Sequence, residues 1–418
     1  MKKSPPFHFS RILPYQIKFS TAYVVTQLDN SLIVTRYQPF GSFGGQFANP
    51  DLNVFFNLNI TDLMEDYRIT GGFRLPTSFS GTEYFLTYED LKHRLDKKFT
   101  VYRKSVSVSY DYTPLWYLQV NAKIRTYVAD ASFRYPIDFT KSIRLSVDYR
   151  NDLTNFLATD SFSLGLAQRS NHWISTHLEY VFDNTMKIQT NIYDGLRYKF
   201  YFDAQRQVDQ QKTFVFAAGA DARYYLKIHR NFIWATRLTA AKSWGDQKII
   251  YFLGGMENTF IPDPNASFNT ETPINFSEHY AFQTIATNLR GFNQNIRNGN
   301  SFALVNTELR FPVFSFLLNT PIRSELIKNF QFIAFVDAGT AWEGFSPYDK
   351  NNPFNSLTFI QGPVTVFVNY FREPIVFGYG GGARTTLLGY FVRVDWAQGF
   401  DSGAKKKPIW YLSLGMDF

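Results

Sequence analysis

The sequence predicts an all-β protein, a transmembrane antiparallel β-barrel of about sixteen strands with a long inward-folded loop between strands 11 and 12. Three observations predict it. Aromatic residues make up 18% of the 418-residue chain, with 44 Phe and 26 Tyr, yet mean hydropathy is slightly negative. No run of about 18 apolar residues exists to form a membrane-spanning helix. Apolar and polar residues instead alternate along most segments, the pattern of strands with two unlike faces.

The segment LNVFFNLNIT (52–61) shows the alternation: Leu52, Val54, Phe56, Leu58 and Ile60 on one face, Asn53, Asn57 and Asn59 on the other. KSIRLSVDYR (141–150) sets Ile143, Leu145, Val147 and Tyr149 against Arg144, Ser146, Asp148 and Arg150. LRYKFYFDAQ (196–205) repeats it, with Leu196, Tyr198, Phe200 and Phe202 opposite Arg197, Lys199, Tyr201 and Asp203. A soluble sandwich would pair such apolar faces inside. Here nearly every strand carries a long, aromatic-rich one, which favours a barrel that turns it to lipid and keeps a wet lumen. Helical periodicity is almost missing, which argues against an α/β enzyme.

In chain order the predicted strands are 18–28, 51–61, 66–76, 81–91, 97–107, 118–137, 139–152 and 171–183. The second half gives 187–206, 211–226, 229–245, 299–313, 328–341, 374–388, 389–400 and 410–418. Links alternate in length, as barrels require. DLMED (62–66), YPID (135–138), DNTM (183–186), KIHRN (227–231) and Leu388-Gly389 are tight. Links 29–50, 153–170, 246–298 and 342–373 are long and rich in Asn, Gly and Pro. The link 314–327 is the exception, longish where a turn belongs. The domain reading is a short periplasmic lead-in, 1–16, and a transmembrane barrel, 17–418, with a lid or plug loop at 246–298.

Cysteine is absent, which excludes disulfides, thiolate catalysis and cysteine metal sites. The net charge of +8 is dispersed, so no nucleic acid is expected as partner. MKKSPPFHFSRILPYQ lacks the apolar stretch of an intact secretory signal, so the expectation is a processed chain or part of a longer precursor.

The final segment, WYLSLGMDF (410–418), puts Trp410, Leu412, Leu414, Met416 and Phe418 on one face. A terminal aromatic strand ending on Phe looks like the insertion signal of bacterial outer-membrane barrels. LRGF (289–292) in the longest loop, then FALVNTELRFPVF (302–314), FIAFVDAGTAW (332–342) and GGGARTTLLGYFVRVDWAQGF (380–400), resemble in that order the outer-membrane protein 85 superfamily. That superfamily groups BamA-type assembly factors, two-partner secretion transporters and bacterial surface antigens. The resemblance is clear over roughly the last 250 residues. DLMEDYRITGGFRL with YAFQTIATNLRGFNQN also looks like the subgroup fused to TolB-like propellers.

On the strand 299–313, Asn306, Glu308 and Arg310 share a face; on 328–341, Ile333, Phe335 and Asp337 do. Glu308 and Asp337 therefore point into the lumen from neighbouring strands, where an arginine carried inward could pair with both. The resemblance implies a loop lock of this kind, and Arg290, Gly291, Phe292, Glu308 and Asp337 match it. Gly291 would permit a tight turn or close approach to the wall, and Phe292 would wedge the tip.

Other candidates are weaker. GYGGGA (378–383) loosely fits a dinucleotide loop, but a strand follows where a helix is needed, so the glycines read as thinning a barrel strand. His177 and Glu179 share the wet face of WISTHLEY (173–180) and read as lumen polar groups rather than an acid–base site. Asp221, Arg223 and Arg237 read as a lumen charge ladder. No enzyme activity, cofactor or metal is expected. The resemblance implies an integral protein of the bacterial outer membrane that assists insertion or translocation of proteins. Its partners would be lipid and lipopolysaccharide, periplasmic or outer-membrane proteins, and client polypeptides. It further implies a seam between the first strand, 17–29, and the last, weakened near Gly415, at which a client strand adds by pairing. The superfamily's periplasmic POTRA modules have no counterpart in the 16 residues before strand one, so separate partners are expected, or a barrel excised from a longer protein. The rival readings are a passive channel and a structural membrane anchor.

Overall fold

A computed structural model describes residues 16–29, 37–40, 47, 52–76, 81–111, 119–209, 212–259, 268–286, 288–318, 320–349, 352, 354–361, 364–369 and 372–415. The lead-in 1–15, Met416 and Phe418 lie outside them. Most of the described chain is one antiparallel sheet of 18 strands. Its ladder begins with β1 (Phe19–Asp29) on β3 (Asn53–Asp62) and continues through β4 (Tyr67–Pro76), β5 (Thr82–Asp90), β6 (Asp96–Asp111) and β7 (Gln119–Pro136). β8 (Lys141–Phe156), β9 (Arg169–Asp183), β11 (Ile192–Gln207), β12 (Phe214–His229) and β13 (Phe232–Gly245) follow. β17 (Ser301–Phe311), β18 (Gln331–Trp342), β21 (Val376–Leu387), β22 (Tyr390–Asp401) and β24 (Ile409–Leu414) complete it. The expectation was about sixteen strands. The difference lies in two short side pieces, β10 (Met186–Gln189) and β23 (Ala404–Lys405). The first arises because Asn191, at φ 61°, turns the chain where one unbroken strand was expected.

Alternation decides the faces. On β17, Asn306, Glu308 and Arg310 are buried while Val305 and Leu309 are exposed. On β18, Ile333, Phe335 and Asp337 are buried while Phe332 and Val336 are exposed. Val101, Phe200 and Leu238 are likewise exposed on their strands. The sheet thus carries apolar side chains on the face away from the protein and buries its charged ones, the inverse of a soluble sandwich.

The short links are held by their own side chains. Asp62 accepts from the Tyr67 amide at 2.8 Å, and Asp138 accepts from the amides of Thr140 and Lys141 at 2.7 and 2.8 Å. The opposite end holds α1 (Ser161–Leu164), capped by Asp160, and a hairpin of β19 (Ser356–Gln361) with β20 (Val364–Asn369). The link 312–330 departs from the short-turn pattern and forms two small helices, α2 (Val313–Leu317) and α3 (Glu325–Lys328).

The loop between β13 and β17 folds into a second sheet. β14 (Lys248–Leu253) pairs parallel with β15 (Tyr280–Ala286) and antiparallel with β16 (Arg297–Gly299). β2 (Gln38–Pro39), from the link after β1, adds to the free side of β15. The insert packs on the polar face of the large sheet. One buried cluster joins its Ile249, Leu253, Phe282 and Phe292 to Trp173 of β9, Val215 of β12, Leu304 of β17 and Val376 of β21. In a flat sheet β9 and β21 would stand roughly 30 Å apart. Shared contact with one small insert requires the large sheet to curve around it.

Candidate functional site: a buried arginine at the tip of the insert

The insert's tip, residues 288–296, turns back on itself through left-handed backbone at Asn288 (φ 60°), Gly291 (φ 91°) and Asn295 (φ 65°). The turn delivers Arg290 to the polar face, where the residue is 2% exposed. Its guanidinium grips Asp337 with two bonds, Nε to Oδ2 at 2.6 Å and Nη2 to Oδ1 at 2.8 Å. Nη1 donates to Glu308 Oε1 at 2.7 Å and lies 3.5 Å from Asp395 Oδ2. The Arg290 amide donates to Asp337 Oδ2 at 3.1 Å. The guanidinium carbon sits 3.5 Å from the centroid of the Phe335 ring. Burial opposes its charge, but Asp337 and then Glu308 outweigh burial and raise its pKa. It stays a cation at any ordinary pH.

Adjacent strands supply the carboxylates because β17, β18 and β22 present alternate residues to the same side. Glu308 is shared: Arg384 Nη2 donates to Oε1 at 2.7 Å and Nη1 to Oε2 at 3.1 Å, while Arg310 Nε reaches Oε2 at 2.8 Å. Asp337 also accepts from Asn306 Nδ2 at 2.8 Å. Three arginines and three carboxylates thus form a buried network in which every charge has an opposite neighbour, the condition under which buried ions are tolerated.

Backbone contacts fix the rest of the tip. The Gly291 amide donates to Tyr411 Oη at 3.0 Å, and that hydroxyl donates to the Phe292 carbonyl at 2.9 Å. A Cβ on Gly291 would lie 2.7 Å from the Gly399 nitrogen, so close approach and positive φ both require glycine. A Cβ on Gly378 would lie 2.0 Å from the Arg290 carbonyl oxygen. The glycines of GYGGGA therefore lie in β21, where they give the tip and the Phe335 ring room to reach the wall. Phe292 is buried in the main cluster.

A second arginine anchors the other end of the insert. Arg297 donates from Nη2 to Asp401 Oδ1 at 2.6 Å and to the Glu373 carbonyl at 2.8 Å, and from Nε to the Pro374 carbonyl at 3.2 Å. It stacks 3.8 Å from the Phe354 centroid. Burial lowers its pKa, Asp401 opposing.

On the last strand, Trp410 is 70% exposed and Leu412 is also exposed, while Tyr411 and Ser413 turn inward. Leu414 is half-buried; Met416 and Phe418 lie outside the described residues. The insert reaches this strand along its edge. Thr259 bridges Ser413 antiparallel, and the Leu414 amide donates to the Asn258 carbonyl at 3.2 Å. Arg393 holds both pieces, donating to Ser413 Oγ at 3.0 Å and to the Glu257 carbonyl at 3.4 Å.

The remaining candidates sit elsewhere on the polar face. His177 contacts Asp203 closely and lies 3.9 Å from Glu179. Asp221 accepts from Arg223 of its own strand at 2.9 Å and from Arg237 of the neighbouring strand at 2.7 Å. Among the described residues no group of three or more histidine and acidic side chains is arranged for a metal. The arginine network itself has no free base and no exposed nucleophile. Its chemistry is that of a pin.

Sequence reasoning named Arg290, Glu308 and Asp337. It put Asn306 and Arg310 on the face of Glu308, quoted Arg384, Asp395 and Tyr411 within longer segments without assigning them contacts, and did not single out Arg297. Alternation puts Arg384, Asp395 and Tyr411 on the polar face, but nothing in the sequence sets the height of the loop tip against them.

No family model matches the chain, and no curated protein matches it in sequence. Solved structures do match in fold. The structure of BamA from Haemophilus ducreyi lacking POTRA domains 1–3 superposes with a TM-score of 0.53 at 12% identity, over 94% of this chain and 76% of that one. CdiB from Escherichia coli gives 0.49 at 10% identity over 94% and 67%, and CdiB from Acinetobacter baumannii 0.46 at 12% over 95% and 65%. The large sheet with its insert is similar in fold to the Haemophilus ducreyi BamA structure, and the likeness is one of fold alone.

Proposed function

We propose that the chain is an integral barrel of the bacterial outer membrane that assists insertion or secretion of polypeptides, its sheet closed and its insert a plug. The observation that carries this reading is Arg290, delivered by a long loop into a buried network of Glu308, Asp337 and Asp395. A passive channel gains nothing from a lumen filled by a pinned loop. A barrel that must stay sealed at rest and rearrange under a client does. The outward-facing apolar side chains meet lipid, and the carboxylates with Arg290 form the lock. Strand addition at the last strand supplies main-chain hydrogen bonds to an incoming β-segment. The Arg290 pin and the bridge at Ser413 both act on that region.

The test has two arms. Purified chain in planar bilayers is expected to conduct poorly and to open in Arg290→Ala; large, steady conductance in the wild type would favour a porin. Liposomes carrying the chain are expected to accelerate folding of an unfolded outer-membrane barrel over empty liposomes. Equal rates sink the assembly reading and leave the structural anchor.

A further inference from the structure

The link 312–330 breaks the rule of short turns at its end of the sheet, and the lock does not use it. Its side chains pack on the outside of the wall. Phe316 of α2 lies 4.9 Å from the ring of Phe311, which in turn meets Phe232 at 5.9 Å. Phe311 shares a face with exposed Val305 and Leu309, and Phe232 shares one with exposed Trp234 and Leu238. Phe330 meets exposed Phe332 at 5.1 Å and Phe314 at 5.8 Å. An aromatic track of two runs, Phe232–Phe311–Phe316 and Phe332–Phe330–Phe314, thus leads from the outward face of three wall strands onto the helical link. Beyond the track the link exposes more apolar surface: Leu317 at 62%, Leu318, Leu326 and Ile327. At its border stand the exposed cations Arg230, Arg323 and Lys328. Arg230 ties the first helix to the β12–β13 turn, donating to the Phe316 carbonyl at 2.8 Å. α3 is tied to the wall through Thr385 Oγ1, which donates to the Leu326 carbonyl at 2.6 Å.

We propose that this link is a phospholipid anchor: its leucines enter the leaflet on the short-turn side of the membrane, and Arg230, Arg323 and Lys328 hold headgroup phosphates. The proposal rests on the reading that the outward face of the wall meets lipid. The track makes the link's apolar face continuous with that surface. Solvent-exposed leucines flanked by cations have the composition of an interfacial segment. A fixed contact with one leaflet sets the height at which the wall rides in the membrane.

The chain has no cysteine, so single labels are unambiguous. Leu317→Cys and Leu326→Cys, each carrying a fluorophore, are placed as full chain in nanodiscs of phosphatidylethanolamine and phosphatidylglycerol. Leu238→Cys on the wall and Met64→Cys on an exposed short turn serve as references. Both link labels are expected to be quenched by acyl-chain nitroxide lipid as strongly as Leu238 and to be spared by aqueous iodide relative to Met64. If they follow Met64 while Leu238 is quenched by the lipid, the anchor is refuted and the wall reading stands. If Leu238 itself responds to iodide alone, the wall reading fails and the anchor with it.

Discussion

Replacing Arg290 with alanine removes one cation from a site holding three carboxylates. Glu308 keeps Arg310 at 2.8 Å and Arg384 at 2.7 Å. Asp337 keeps only neutral donors, Asn306 at 2.8 Å and a main-chain amide at 3.1 Å. The cost is therefore dominated by one stranded, buried carboxylate, about 3–5 kcal/mol. The wall keeps its own ladder, so the loss appears as opening of the loop rather than global unfolding. At about 1.4 kcal/mol per tenfold, the open population rises by between about 10²-fold and about 4 × 10³-fold. Hydrogen exchange of the tip amides in nanodiscs reads this directly, with wall amides as the internal reference. Adding Asp337→Asn to Arg290→Ala removes the stranded charge and is expected to restore about 1–3 kcal/mol as a coupling term. Tip exchange within tenfold of wild type in Arg290→Ala, or no recovery in the double variant, would refute the reasoning.

Tyr411→Phe leaves the Gly291 amide and the Phe292 carbonyl without their shared hydroxyl. It is expected to raise tip exchange by about 1–3 kcal/mol of opening while leaving the wall unchanged. Gly378→Ala places a methyl 2.0 Å from the Arg290 carbonyl oxygen, so the tip must shift, and protease cleavage in 246–300 is expected to increase. Gly71→Ala, whose added carbon meets Leu86 at 3.5 Å, is the control expected to resist. Glu343, just past β18, accepts from Asn275 at 2.7 Å and from the Tyr280 hydroxyl, and burial raises its pKa above 4.5. An acid raised in the folded state stabilises it below the unfolded value and loses that advantage as pH rises toward the folded one. Insert retention in the wild type, relative to Glu343→Gln, is thus expected to fall as pH rises from 4.5. A flat difference between the two proteins overturns that assignment.

The wall was legible because its faces are set by a period of two, which residues such as Asn306, Glu308 and Leu309 display without tertiary information. Two of the carboxylates that grip Arg290 followed from the same parity. What stayed hidden depends on register between distant segments. Tyr411 is 120 residues from Gly291, and no local pattern sets their relative height. The insert's own sheet was hidden for a different reason. KIIYFL (248–253) is buried on both sides and shows no alternation, the usual signature of a strand in a parallel pairing. The helical link 312–330 showed only as an excess of length, since four- and five-residue helices carry no readable periodicity.

The two-residue strand β2 has a mechanical consequence. It comes from the link that follows the first wall strand, yet it is stitched to β15, with the Phe40 amide on the Ala281 carbonyl at 2.9 Å and Tyr37 reaching Asp203 of β11 at 2.7 Å. The insert is therefore joined to both margins of the ladder, to β24 through Ser413 and, through β2, to the chain that continues from β1. Displacing either margin strand is expected to disturb the insert.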